Sequence, residues 1–188
     1  MIQKALFTLG TAVLLAGCVA SIPPVEVTRF HLGQEIKPGR LAFDGDSALE
    51  AIPYREAVAV ALEGRGFSRT VATIRPDYIA IITPSRVSRA EARRSPFSIG
   101  IGGGTGGPVG VGVGTSIALG GKTQTVVVSR LKVQLKRVAD QRIIWEGRAE
   151  TQALATAPGA QPGLAAKKLA TALFADFPGE SGKTIVVP

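Results

Sequence analysis

The sequence predicts an α+β fold, in which a mainly antiparallel sheet carries two helices packed on one face and a glycine-rich hairpin forms an excursion. Three observations predict this class. Apolar and charged residues alternate at strand period from Thr125 to Val138 and again from Ile143 onward. Apolar residues recur at helical spacing after Pro53 and after Pro162. Strand segments outnumber helical segments and do not alternate regularly with them, which favours α+β over α/β.

The N-terminus predicts a signal peptide. It reads "MIQKALFTLGTAVLLAGC", with Lys4 ahead of a mostly apolar run. That run is shorter than the roughly 20 residues that a membrane-spanning helix needs. Its last four residues, "LAGC", resemble the lipobox of bacterial lipoproteins, where the cysteine sulfur receives diacylglycerol. The resemblance implies that residues 1–17 are cleaved, that Cys18 is lipidated and that residues 18–24 form a lipidated tether.

The single cysteine and the residue that follows it refine this expectation. Cys18 is the only cysteine, so the chain cannot form an internal disulfide and lipidation gives the thiol a use. Val19 stands where an aspartate, in the enterobacterial sorting rule, would retain a lipoprotein at the inner membrane. We therefore expect a lipid anchor in the outer membrane, with the protein facing the periplasm.

The charge of the chain limits its partners. The net charge is +8, which attracts anionic molecules at low salt. In the cell envelope these are anionic lipids and cell-wall polymers, and an envelope protein is a further candidate partner. Nucleic acid belongs to another compartment, and the one Trp, two Tyr and seven Phe are scattered rather than grouped as a stacking platform.

Residues 25–188 are predicted to form a single domain. "VEVTRFHL" predicts a first strand, with Val25, Val27 and Arg29 on one side. The helix after Pro53 should present one face, made of Tyr54, Val58, Ala61 and Leu62. Two strands follow, the first at residues 67–71. The second, "DYIAIITPS", is a continuous apolar run typical of a strand covered on both faces.

The second half predicts a long hairpin with a defined register. A turn at residues 139–141 joins its strands, so that Leu135 faces Trp145 and the indole lies in the core. The same register pairs Val133 with Gly147 and Leu131 with Ala149 inside, and Gln134 with Glu146 and Arg130 with Glu150 outside. The outer basic stripe is thus interpreted as a solvated, partly neutralised face. A last helix should bury Ala166, Leu169, Leu173 and Phe177 and expose Lys167 and Lys168, before a short strand in "KTIVV".

Four segments together resemble a known family. "ALEGRGF", "RPDYIAII", "IIWEGRAET" and "ALFADFPG" stand in the order and spacing of the bacterial lipoproteins called domain of unknown function 4136. That family has a helix ending in Gly-Phe, an Asp-led strand, a hairpin carrying Trp-x-Gly and a last helix closed by Phe-Pro. The resemblance implies a lipid-anchored α+β domain of the envelope and implies no activity.

The glycine-rich segment at residues 98–121 does not predict a nucleotide site. Gly102, Gly104 and Gly107 satisfy G-x-G-x-x-G, but no helix follows to hold a phosphate. Its apolar residues instead alternate with glycine at strand period, which predicts a hairpin between neighbouring strands. We consider two interpretations, a flexible excursion and a surface that contacts the membrane or a partner, whose candidate contacts are Ile99, Ile101, Val109, Val111 and Val113.

An arginine-rich stretch precedes the glycines. In "SRVSRAEARRSPF" the candidate contact residues are Arg86, Arg89, Arg93 and Arg94, against the single acid Glu91. Such a run is either a solvated charged segment or a surface held against anionic headgroups.

Catalytic signatures are weak. His31 is the only histidine and is expected on a strand surface. Asp44, Asp46 and Glu50 lie in a turn but lack EF-hand spacing, so no metal ligand, cofactor or catalytic residue is predicted. We expect a non-catalytic binding or scaffolding protein; the alternative is an enzyme acting on envelope polymers through an unrecognised site.

Overall fold

The computed structural model describes residues 23–45, 48–71, 73–92 and 123–188. Its seven strands are β1 (Val25–His31), β2 (Arg40–Gly45), β3 (Ser68–Arg69), β4 (Tyr78–Ala92), β5 (Thr123–Arg137), β6 (Ile143–Leu154) and β7 (Thr184–Val187). The two helices are α1 (Ile52–Glu63) and α2 (Pro162–Phe174). Cys18, Asp46, Arg93, Arg94 and the excursion at 98–121 with its five candidate contacts lie outside the described residues.

The strands form one sheet in the order β3-β2-β4-β5-β6-β1-β7. β2 runs parallel to β3 and β4, and every other pairing is antiparallel. Side chains from both helices and from one face of the sheet share one buried cluster, which includes Leu62, Leu135 and Leu173. The predicted α+β class and the mainly antiparallel sheet are therefore confirmed. We call the helix-covered side of the sheet the inner face and the opposite side the outer face.

The predicted register of the long hairpin is confirmed at each predicted pair. Leu135 pairs with Trp145, Val133 with Gly147, Leu131 with Ala149, Gln134 with Glu146 and Arg130 with Glu150. Trp145 is fully buried, as expected, and its ring stacks on Phe174 with centroids 5.2 Å apart. Alternation of apolar and charged residues fixes which face is buried, and a short turn fixes the pairing.

Gly147 explains the Trp-x-Gly pattern. A Cβ at this position would lie 2.3 Å from Cη2 of Trp145 and 2.7 Å from Cδ1 of Leu173. Carbon atoms in contact prefer separations of about 3.5–4.0 Å. The indole therefore folds over position 147 because that position has no side chain.

Several expected elements differ in extent. The strand at 67–71 is reduced to β3, and α2 ends at Phe174, although Phe177 still packs against the core. The expectation that "DYIAIITPS" is covered on both faces is wrong: Ala80 and Ile82 are buried, but Ile79 and Ile81 on the outer face are only half-buried. No described helix covers the outer face, which is why those two isoleucines keep contact with water.

β4 is longer than its apolar run. It continues through the arginine-rich stretch and pairs with β5 as far as Ala92 and Thr123. The polar residues have weak strand propensity, but β5 supplies their hydrogen-bonding partners. Arg86 and Arg89 therefore lie on a strand, not on a separate charged segment.

Candidate functional site

One end of the sheet brings the start of the domain next to the predicted contact residues. We call it the anchor end and define it by Pro23–Pro24, Arg86–Ala92, Thr123–Val126 and Thr151–Leu154. Antiparallel pairing places the start of β1 beside the end of β6, and the end of β6 beside the start of β5. β5 in turn pairs with the end of β4. Ala92 and Thr123, the described residues that flank the segment 93–122, are thus at the same end of the sheet as Pro23.

The chain is fixed where it enters the domain. The Thr151 hydroxyl donates a hydrogen bond of 3.0 Å to the Pro24 carbonyl. The Lys168 ammonium donates to the Pro23 carbonyl, and burial lowers the pKa of this lysine. The expectation that Lys168 points away from the domain is wrong: it is half-buried, because it binds the incoming chain. The position of Pro23 relative to the sheet is therefore defined by contacts.

The two described arginines of the candidate contact set lie on opposite faces of β4. Successive side chains on a strand point to opposite faces, and these two residues are three positions apart. Arg86 is on the inner face and donates to the Ala160 carbonyl. Arg89 is on the outer face, 3.0 Å from a Glu91 oxygen and 3.1 Å from the Gln152 amide oxygen. The arginine run does not form one continuous basic surface within the described strand.

Two apolar side chains on the outer face of the anchor end are exposed. Val87 is 49% exposed on β4, and Leu154 is 40% exposed at the end of β6. With the Arg89–Glu91 pair beside them, they give this end a mixed charged and apolar surface.

The rest of the outer face is charged and paired. Arg130 lies 2.6 Å from Glu150, and Glu146 accepts from Arg148, Lys132 and Gln134. Burial alone would raise the pKa of Glu146, but these three hydrogen bonds hold it below its usual range. The pairings agree with the prediction of a solvated, partly neutralised face.

A small cavity lies on the inner side of β4 near the same end. Its volume is about 90 Å³, and it is lined by Glu50, Tyr54, Pro84, Ser85, Arg86 and Pro162. The helical pattern predicts Tyr54 only as a core residue of α1. Sequence patterns gave no signal for this cavity, because its lining comes from α1 and the turn before it, from β4 and from the start of α2.

Other singled-out residues have structural roles. His31 ends β1, where Nδ1 accepts from the Gly33 N–H at 3.1 Å and Nε2 lies 3.0 Å from the Gly179 carbonyl. Asp77 binds Arg40 through Nε at 3.0 Å, and this partner lowers its pKa to about 2. Asp44 accepts from the Gly45 N–H. Within the described residues, no group of three or more His, Cys, Asp or Glu side chains is placed to hold a metal ion.

Arg29 is a buried charged residue. The strand pattern puts it on the same side as Val25 and Val27 but predicts no role for it. It is 3% exposed, and it donates to the Leu173 and Ala172 carbonyls at 2.9 Å each. These carbonyls belong to the last turn of α2, where few backbone partners remain; Ala172 also accepts from the Ala175 N–H at 3.4 Å. Arg29 therefore caps α2, and burial lowers the pKa of its guanidinium.

Part of the chain is similar to a curated protein. This relative, an uncharacterized protein of Zymomonas mobilis, is 42% identical over 76 residues, or 40% of this chain. The chain spans 29% of the length of that relative. No family model matches the chain.

Two solved structures are similar to the chain at low identity. A PelC dodecamer from Paraburkholderia phytofirmans has a TM-score of 0.42 and 12% identity, covering 79% of this chain and 94% of that one. A PDZ domain protein from Parabacteroides distasonis has a TM-score of 0.49 and 10% identity, covering 87% of this chain and 39% of that one.

In the described ranges, no helix is both long and apolar enough to cross a bilayer.

Proposed function

We propose that this protein is a non-catalytic binding or scaffolding module of the cell envelope, lipid-anchored through Cys18 at the periplasmic side of the outer membrane. We also propose that it is a member of the domain of unknown function 4136 lipoproteins, which it resembles. The observation that supports it is the position of the domain entry at the anchor end. There, the chain leaving the predicted lipid site meets the strands that carry the candidate contact residues.

The dimensions of this end support contact with the membrane. Arg86, Ser129, Thr151 and the Pro24 carbonyl form one row across the sheet. Ala92 lies six residues beyond Arg86 on β4, or about 20 Å at roughly 3.3 Å per residue. Cys18 precedes Pro24 by six residues, so the tether spans at most about 20 Å. The end of β4 and the start of β5 can thus reach the plane in which the lipid is held.

The residues at the anchor end are suited to contact a partner surface that is anionic or that combines anionic and apolar groups. Val87 and Leu154 are exposed, and Arg89 lies near both on the outer face. Ala92 and Thr123, the described residues on either side of the segment 93–122, pair with each other at this end of the sheet, which we call the tip. We propose that this tip contacts anionic lipid, a cell-wall polymer or an envelope protein through the glycine-rich hairpin.

Lipidation is tested with Cys18→Ser. The wild-type chain should incorporate radiolabelled palmitate and fractionate with outer membranes, whereas the variant should lose the label and appear in the periplasm or remain uncleaved. Unlabelled wild-type protein with unchanged fractionation of the variant would refute the anchor.

Orientation is tested by photocrosslinking from two exposed alanines at opposite ends of the sheet. A photoreactive residue at Ala90, near the tip, should capture lipid, polymer or an envelope protein in cells. The same residue at Ala139, in the turn between β5 and β6, should capture much less. Equal capture at both positions would show that the anchor end has no special contact. Deleting residues 100–114 should abolish capture from Ala90 and leave the thermal midpoint nearly unchanged.

A further inference from the structure

The second half of β4 has a free edge. β2 pairs with β4 only from Tyr78 to Ile82, and among the described residues no strand lies on that side of β4 from Thr83 to Ala92. The stretch from Pro84 to Ala92 spans about 26 Å at roughly 3.3 Å per residue. The strands at the two margins of the sheet are shorter, since β3 has 2 residues and β7 has 4. Among the described strands, β4 therefore offers the longest unpaired edge.

Two contacts show which backbone groups point to this edge. The N–H and C=O of one strand residue point to the same neighbouring strand, and those of the next residue point to the other. The Ile82 carbonyl faces β2, since a Cβ on Gly45 would lie 2.3 Å from its oxygen. Ala90 agrees, because its partner Thr125 directs its carbonyl to the Ala155 N–H, away from β4. The even-numbered residues of β4 therefore direct their backbone groups to the free edge.

Pro84 fits this arrangement. Proline has no N–H, so it loses no bond to β5 at a position whose backbone faces outward. The outward groups are the N–H groups of Arg86, Ser88, Ala90 and Ala92, and the carbonyls of the same residues and of Pro84. A strand placed alongside can bond with these groups.

A second copy of the same edge matches this pattern. Antiparallel pairing of two β4 strands around Ser88 places this residue opposite its own copy. It also places Arg86 opposite Ala90 and Pro84 opposite Ala92. Each outward N–H then meets a carbonyl of the other copy, because opposite residues in such a pair exchange their bonds. The edge is thus complementary to itself over its whole length.

The side chains accept this register. On the inner face, the side chains at its centre are small, namely those of Ser88 and Ala90. On the outer face, Arg89 lies 3.0 Å from Glu91 of its own chain and comes opposite Val87 of the second copy. Moving the centre by one residue would place the two Arg89 side chains opposite each other, and like charges in that position are destabilising.

We propose that two copies of this protein pair antiparallel through the free edges of β4, centred on Ser88, and form one continuous sheet. The dimer axis is then perpendicular to the sheet, so the outer faces of both copies lie on the same side. With the sheet parallel to the bilayer, both tethers can reach one membrane. The pairing itself does not depend on lipidation of Cys18.

Disulfide formation tests the register in the full chain carrying Cys18→Ser, which leaves no other cysteine. Opposite residues of a hydrogen-bonded antiparallel pair have Cα atoms about 5.5 Å apart, which a disulfide can span. Ser88→Cys should therefore give a covalent dimer rapidly under mild oxidation. Ala90→Cys is the matched control, because it would lie about 13 Å from its copy at roughly 3.3 Å per residue and should remain monomeric.

Proline substitutions test the edge itself. Because the Ser88 N–H points outward, Ser88→Pro should leave the thermal midpoint nearly unchanged. In analytical ultracentrifugation it should weaken dimerisation by about tenfold or more, because it removes hydrogen bonds at the centre of the interface. Val87→Pro is the opposite control: the Val87 N–H points to β5, so its loss should lower the midpoint.

Three results would overturn the proposal. The first is a Ser88→Cys chain that stays monomeric, since the edge would then be covered by the chain itself or by another partner. The second is an equal rate of covalent dimer formation for Ser88→Cys and Ala90→Cys. The third is a lower thermal midpoint for Ser88→Pro, which would show that the Ser88 N–H already has a partner within its own chain.

Discussion

Replacing Gly147 by alanine tests the packing that underlies the Trp-x-Gly pattern. The new methyl group would lie 2.3 Å from Cη2 of Trp145 and 2.7 Å from Cδ1 of Leu173. These separations must grow by about 1.2 Å and 0.8 Å to reach the lower end of normal carbon contact. Both neighbours are fully buried, and Trp145 is held by its stack on Phe174. The indole therefore cannot rotate away without disturbing the core.

The expected cost follows from overpacking. Overpacking destabilises a core by about 1–3 kcal/mol. Alanine also restricts the unfolded chain more than glycine does, which offsets about 0.4–1 kcal/mol of that loss. We expect Gly147→Ala to lower the free energy of unfolding by about 2 kcal/mol. For a chain of this size the thermal midpoint should fall by roughly 4–8 °C.

Urea unfolding followed by fluorescence gives the measurement, because Trp145 is the only tryptophan. Gly163→Ala is the matched control, since a Cβ at Gly163 in α2 would meet nothing within 4 Å. It should raise stability by about 0.5–1 kcal/mol. An unchanged midpoint for Gly147→Ala, or an equal loss for Gly163→Ala, would refute the packing argument.

Two further predictions concern charged groups. Arg29→Met should lower the free energy of unfolding by about 1–3 kcal/mol in urea, because it removes the side-chain donor from the Leu173 carbonyl and leaves the Ala172 carbonyl with only the Ala175 N–H at 3.4 Å; a neutral result would mean that the cap adds nothing to stability. Arg40 lowers the pKa of Asp77 from 3.8 to about 2, so the pair stabilises the folded state above about pH 4 and loses that effect as pH falls toward 2. Asp77→Asn should flatten this part of the stability profile in acid unfolding, and an unchanged profile would contradict the pairing.

The faces of the elements were predictable from local pattern. Alternation along β5 and β6 fixed which side chains are buried, and the short turn between them fixed the register. The helical spacing of Tyr54, Val58 and Leu62 likewise identified the buried side of α1. These predictions succeeded because burial of one face is a local property of the chain.

The extent of β4 was not predictable in the same way. Its second half is polar and arginine-rich, with no apolar alternation to mark a strand. It becomes a strand because β5 is paired alongside it, so the neighbour and not the local sequence decides. For the same reason the sequence presents Arg86 and Arg89 as one charged run, whereas the pleat places them on opposite faces.

By itself, the sequence determined the fold class, the buried faces and the hairpin register, because each follows from periodicity and nearby turns. It also supplied the lipobox resemblance that motivates the envelope proposal. Only the tertiary structure decided that Pro24, Thr151, Ser129 and Arg86 share one row, and that Tyr54 and Arg86 line the same small cavity. These residues are far apart in the chain, and their proximity depends on which strands become neighbours and where the helices cross them.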